Sequence, residues 1–154
     1  RAGKRITSIT GVTKEQIQRI MKAVIEQATD EGLGAAETAR NIKRALATEG
    51  EAINTWRALR IARTEVMTAS NQGSLKGAQD LVRDTGIKMN KVWIATLDDR
   101  TRDSHIEMNN VEVDINDDFK LISGATMDGP GDATAPADEV INCRCSIAYR
   151  VRRE

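Results

Sequence analysis

Apolar residues recur every three or four positions up to about Gly86 and every second position after it, and this change of period limits the fold more than any single residue does. Ile17, Ile20, Met21, Val24, Ile25 and Ala28 mark an amphipathic helix over residues 13–31, with Thr13 and Gln16 at capping-box spacing and Gly32 as its stop. Ala35, Ala39, Ile42 and Leu46 predict a second helix over 35–47. From Glu51, the series Trp56, Leu59, Ala62 or Arg63, Val66 and Ala69 or Ser70 predicts a third helix of at least five turns. That helix is expected to continue, with a bend, through Asn71-Gln72-Gly73-Ser74 to Leu81, although each interior Gly costs about 1 kcal/mol.

Beyond Gly86 the residues are short β-branched or alternating runs. Lys91–Ala95, Val111–Ile115 and Ser146–Val151 read as strands. Thr101–Met108 reads as a short helix capped by Thr101 or Asp99, and residues 123–138, with Gly124, Gly129, Pro130, Gly131 and Pro136, as a long loop. The fold class is therefore α+β: an N-terminal helical layer with a long central helix, then a small antiparallel sheet with long loops. The expected organisation is a helical stem over 1–86 and a strand-and-loop lobe over 87–154 packed on it as one domain.

Composition narrows the function classes. No apolar run approaches the ~20 residues that cross a bilayer, and the basic start Arg1-Ala2-Gly3-Lys4-Arg5 is not followed by a signal-peptide segment, so no membrane association is expected. The zero net charge is divided along the chain: residues 1–95 carry 16 Lys/Arg against 10 Asp/Glu, residues 96–140 carry 3 against 12, and residues 141–154 carry 4 against 1. An acidic segment between basic flanks folds back on them, binds a cation, faces a basic partner, or is simply solvated. The basic end Arg150-Val151-Arg152-Arg153 has no interleaved aromatics, so it supports only weak, non-specific DNA contact. No glycine-rich phosphate loop, Ser-His-Asp set or nucleophile elbow is present.

The two cysteines stand one residue apart, as Cys143 and Cys145, and the single histidine is His105. A disulfide between them would close a small strained ring, which argues for a reducing environment and against a disulfide scaffold. Residues two apart in a strand face the same way, so both thiolates can meet one ion. His105 as a third ligand and Asp98, Asp103 or Asp132 as a fourth would complete a tetrahedral zinc site of structural type. The plainer alternative is two small buried cysteines and a locally bonded histidine. A three-ligand open site with a bound water is a further alternative.

Other side chains have local readings. Arg100 and Arg102 either bind phosphate, brace carboxylates or lie in a solvated turn. Arg144, between the cysteines, is expected to point away from them towards the acidic middle. Arg60, Arg63 and Glu65 read first as a network on the surface of the long helix, with partners for Glu65 across the fold equally open and a nucleotide-transferring Arg-Thr-Glu set as the lesser alternative. Trp56 and Trp93 are expected to be core anchors.

Taken in order, Ile61-Ala62-Arg63-Thr64-Glu65, Trp93, Asp98-Asp99-Arg100-Thr101-Arg102-Asp103-Ser104-His105, Phe119, Pro130-Gly131-Asp132 and Ile141-Asn142-Cys143-Arg144-Cys145 resemble the phage Mu F-like minor head proteins, or head morphogenesis domain. The resemblance implies a structural and interaction domain inside the virion head, assembled in the bacterial host cytoplasm, with portal, scaffold or major capsid protein as partners. It also implies that 154 residues are one domain of a longer chain. The site it suggests is Asp98, His105, Cys143 and Cys145, supported by Arg100, Arg102 and Asn142, with Arg63 and Glu65 on the Arg-Thr-Glu helix. The zinc itself comes from ligand chemistry. Asn110 stands where the family is expected to place a Gly-ended turn, and Asn tolerates the left-handed backbone such a turn needs. The alternative function is a zinc-dependent hydrolase or a toxin-like transferase.

Overall fold

A computed structural model of the chain describes residues 15–48 and 53–152. The elements are α1 (Glu15–Asp30), α2 (Ala35–Thr48), α3 (Thr55–Thr85), β1 (Met89–Ile94), α4 (Asp103–Ile106), β2 (Glu112–Asp114), β3 (Phe119–Lys120), β4 (Thr126–Met127), α5 (Ala137–Val140) and β5 (Ser146–Val151). The α+β order read from the sequence is the order found. The expected Thr13 cap lies outside the described residues. Packing divides the chain into two compact units, one up to Val66 and one from Met67, so the second unit begins on α3 itself, ahead of Gly86.

In the first unit, α1 and α2 bury the faces their spacing defines: Ile17, Met21, Ile25 and Ala28 on one, Ala39, Ile42 and Leu46 on the other. Gly32 ends α1 with φ +66°; its N–H bonds Thr29 O, and the N–H of Leu33 reaches Ala28 O at 2.8 Å. This is a Schellman end, which favours Gly because the left-handed backbone strains any residue with a Cβ.

The first turns of α3 correct two expectations. Trp56 is 63% exposed and is not a core anchor; Ala58, Ile61 and Ala62 form the buried face, and the Arg60 guanidinium lies 4.7 Å from the centre of the Trp56 ring. Counting apolar residues places a large ring in the core by default, but the helix turns Trp56 off the buried face by about 100° per residue. Two members of the Arg-Thr-Glu stretch, read as part of a network on the helix surface, are turned inward. Thr64 and Glu65 are buried, Glu65 at 4% exposure, and Thr64 Oγ1 donates back to Arg60 O.

In the second unit, α3 runs as an unbroken helix to Thr85. Leu75, Ala78 and Val82, spaced by three and four, pack with Met89 and Ile115 and against Ile147 and Tyr149 of β5. The main sheet is antiparallel with order β2-β1-β5, and its registers pair Lys91 with Val113 and Trp93 with Ile147. The central strand β1 is buried at Met89, Lys91, Val92 and Trp93. Even Lys91 is enclosed; its ammonium donates to Asp128 O at 2.7 Å, and burial pushes its pKa down.

Two pieces of the predicted long loop have structure of their own. Thr126–Met127 pairs with Phe119–Lys120 as a small hairpin, and Ala137–Val140 makes one helical turn. Strands of two residues carry no readable alternation, which is why the sequence shows only turn residues there. The helix holding His105 starts at Asp103 with Arg102 at its N-cap and no side-chain cap bond, so neither Thr101 nor Asp99 caps it. The Thr101 hydroxyl instead donates to Thr96 O, with Asp98 Oδ1 3.1 Å away. Asn110 adopts φ 65°, as its place in the turn requires, and its N–H bonds Trp93 O at 2.8 Å.

Candidate metal centre

The second apolar cluster of this unit joins Trp93, Ala95, Met108, Phe119, Leu121, Met127 and Val140 to both cysteines. Three elements bring the chemistry together there. Helix α4 presents His105 from the loop after β1. The turn after α5 carries Cys143, whose N–H bonds Val140 O, with Asn142 at φ 60° reversing the chain. The extended segment entering β5 then carries Cys145. This turn, more than strand alternation alone, places the two thiols on one side.

His105 Nδ1 lies 3.6 Å from Cys143 Sγ and 3.5 Å from Cys145 Sγ, and the ligand atoms of the three residues fall within 4.8 Å of one another. Among the described residues this is the group of His, Cys, Asp and Glu with the geometry to hold an ion. The residues are 1%, 4% and 2% exposed, so the cluster is closed to bulk water. Both cysteines are free thiols. Cys145 is pulled down, to about 4, by a hydrogen bond from Cys143, with His105 adding to the effect; Cys143 is pushed up by the same hydrogen bond and by burial. The Cys145 N–H points at Cys143 Sγ at 3.4 Å.

The far side of the imidazole faces a carboxylate that sequence reasoning missed. Glu139 Oε2 stands 3.0 Å from His105 Nε2 and accepts from Ser104 Oγ at 2.9 Å. The two atoms are close, but they are not aligned as a hydrogen bond. Burial raises the Glu139 pKa, but hydrogen bonds from Ser123 and Ser104, with the charges of His105 and Arg102, outweigh it and hold the group below the usual carboxylate range. Trp93 packs edge-on to the imidazole, centroids 5.0 Å apart, and fixes its plane. The only signal for Glu139 was its place two residues before Ile141-Asn142-Cys143, and nothing in spacing alone points to it.

The remaining expected site residues lie around the cluster rather than in it. Asp98 is engaged by the Arg144 guanidinium through both nitrogens, one at 2.6 Å, and those hydrogen bonds hold its carboxyl well below the usual carboxylate range. Arg144 does turn to the acidic middle of the chain, and the pair braces the loop after β1 against the cysteine segment; Thr96 Oγ1 donates to Arg144 O in the same place. The Arg100 guanidinium reaches Asp98 only at 3.6 Å from an exposed position, whereas its backbone N–H donates to Asp98 Oδ1 at 3.0 Å. Arg102 donates to Ile141 O at 2.5 Å and so fastens the start of the cysteine turn. Asp132 caps its own loop, accepting from Asp128 N, Thr134 N and Thr134 Oγ1. Arg63 and Glu65 belong to the first compact unit. Arg150 and Arg152 of the basic end are ion-paired with Glu112 and Asp114.

The donor set fits a divalent ion of zinc type. Two thiolates and an imidazole nitrogen are borderline-soft ligands, and a carboxylate on the far imidazole nitrogen is the usual outer partner of a metal-bound histidine. No helix among the described residues is long and apolar enough to cross a membrane.

The chain is 34% identical over 145 residues, 94% of its length, to a protein of Enterococcus faecalis named NAD(+)--arginine ADP-ribosyltransferase EFV, of which the match covers 28%. It is 29% identical over 93 residues, 60% of its length, to the Minor head protein GP7 of Bacillus phage SPP1, of which the match covers 29%. The chain thus spans less than a third of the length of either relative. No solved structure matches. The family model for Phage Mu protein F like protein matches residues 18–148, the span that includes α3, His105 and both cysteines, and the chain belongs to that family.

Proposed function

We propose that this chain is a structural and interaction domain of a tailed-phage minor head protein, acting in head morphogenesis near the portal, and that a zinc ion on His105, Cys143 and Cys145 holds its second compact unit together. The observation that carries the reading is the convergence of those three ligand atoms inside an apolar core, in a chain of the Mu F-like family. His105, Cys143 and Cys145 would hold the ion; Glu139 would orient the imidazole; Arg102 and the Asp98–Arg144 pair would hold the loops that carry the ligands. The ion would supply a cross-link between segments far apart in sequence. A unit whose strands are two to six residues long gains more from such a link than a large core does.

Partners would be other head components: portal, scaffold or major capsid protein. The acidic 96–140 segment favours basic surfaces on them. With Arg150 and Arg152 already paired, DNA contact is at most weak and counterion-driven. The test has two arms. Elemental analysis of the purified chain should find about one zinc that survives dialysis, and Cys143→Ser in the full minor head protein should reduce its incorporation into assembled heads. A metal-free, equally stable chain would end the zinc reading, and normal incorporation of the Cys143→Ser protein would end the link between centre and assembly.

The relative named as an ADP-ribosyltransferase favours a second reading, a toxin-like transferase. Against it, a segment of similar share also matches a minor head protein, so the shared span is better read as what the two relatives have in common. The purified chain is expected to leave NAD+ intact, and turnover of NAD+ with transfer to arginine would favour the transferase.

A further inference from the structure

One side chain of α3 reaches the cysteine segment directly. Asn71 is 6% exposed, and its Nδ2 donates to two carbonyl oxygens remote in sequence, Pro130 O and Cys145 O, each at 3.0 Å. A side-chain amide has two N–H donors on that nitrogen, so both are spent on the backbone of the unit it packs into. The peptide groups on either side of the Cys145 Cα are then both held: the N–H before it by Cys143 Sγ and the carbonyl after it by Asn71. With both peptide planes fixed, the direction of the Cα–Cβ bond is fixed, and the sulfur has only its χ1 rotation left.

The second acceptor ties the neighbouring loop to the same helix. Gly131, at φ +79°, comes so close to α3 that a Cβ there would lie 3.0 Å from Thr68 Cα. Gln72, the next helix residue, holds the same loop through Asp128 Oδ1 at 2.9 Å but makes no bond to the cysteine segment. The two adjacent side chains therefore separate a loop contact from a ligand contact.

We propose that Asn71 is a positioning residue of the metal centre: by fixing the Cys145 carbonyl it aims the Cys145 thiolate at the ion, and so couples α3 to metal affinity. This rests on the reading of His105, Cys143 and Cys145 as a metal site. Outer partners of ligands typically change metal affinity by about 10–100-fold when removed, because the ligands then have to be ordered at the moment of binding.

Cobalt(II) is a suitable probe, since its visible bands and thiolate charge-transfer absorption report ligand geometry independently of stability. The purified chain, Asn71→Ser, Asn71→Asp and the neighbour control Gln72→Leu are titrated with the metal alone. The wild type should bind one equivalent with a thiolate band. Asn71→Ser should bind about 10–100-fold more weakly with shifted visible bands, and Gln72→Leu should bind within about threefold with the wild-type spectrum. Asn71→Asp, which turns an acceptor on two carbonyls, should be affected most; if it does not fold, Asn71→Ser decides. Wild-type affinity and spectrum in Asn71→Ser overturn the proposal, as does an equal loss in Gln72→Leu or an unfolded Asn71→Ser, either of which means general loosening. A wild-type chain that takes up no cobalt overturns instead the metal-site reading beneath it, and this proposal with it.

Discussion

Glu139 Oε2 lies 3.0 Å from His105 Nε2, on the side of the imidazole opposite the two sulfurs, so the one histidine of the chain is held between a carboxylate and a thiol pair. With an ion held between the ring and the sulfurs, Nδ1 would offer it a lone pair and Nε2 would carry its proton on the Glu139 side. Glu139→Gln should keep the fold, since an amide oxygen still accepts from Ser104, yet lower zinc or cobalt affinity by about 10–100-fold. Competition titration against a chromogenic chelator measures this, and unchanged affinity would remove Glu139 from the centre.

Cys143→Ser should have a larger effect than Glu139→Gln because it removes a ligand. Bound zinc is expected to fall from about one equivalent to near zero, with a lower melting temperature that chelator no longer changes. The wild type, in contrast, should melt earlier when chelator is added. If chelator leaves the wild-type transition in place, the ion contributes nothing to stability.

The Asp98–Arg144 pair gives a pH signature. Because the folded carboxyl is held below the usual range, its stabilisation is fully present above the unfolded value of about 4 and is lost as pH falls towards the folded value. Wild type should therefore melt above Asp98→Asn at pH 6–7 by a margin that shrinks as pH drops below about 4. Melting curves of the two proteins across that range decide it, and a margin independent of pH would contradict the assigned pairing.

The two tryptophans should behave oppositely. Trp93, fully buried against His105 and Phe119, should cost about 3–5 kcal/mol when replaced by Ala, whereas Trp56→Ala should stay within about 0.5 kcal/mol. Denaturant midpoints for both variants test this. A large loss from Trp56→Ala would mean that the exposed ring is covered in solution.

By itself the sequence determined the types of the longer elements and the identity of the candidate ligands. The period of Ile17, Met21, Ile25 and Ala28 fixes a helix because 3.6 residues per turn stack them on one face, and the alternation of Ser146–Val151 fixes a strand because its period is two. One histidine and one Cys-x-Cys pair left no other thiolate–imidazole set to choose. Local backbone chemistry was legible too: Gly32 and Asn110 sit where left-handed residues are needed.

Tertiary structure alone decided what each polar group faces. Asp98 carries the right chemistry for a ligand, but the fold sets Arg144 beside it and Glu139 beside His105, separations of 46 and 34 residues along the chain that no spacing rule spans. The burial of Glu65 and the exposure of Trp56 were likewise hidden, because a helical wheel orders residues around an axis without saying which side the rest of the protein covers. Asn71 is the clearest case. In sequence it is one polar residue of a helix, and it becomes a link to Cys145 only when the chain returns 74 residues later to place that carbonyl within hydrogen-bonding reach.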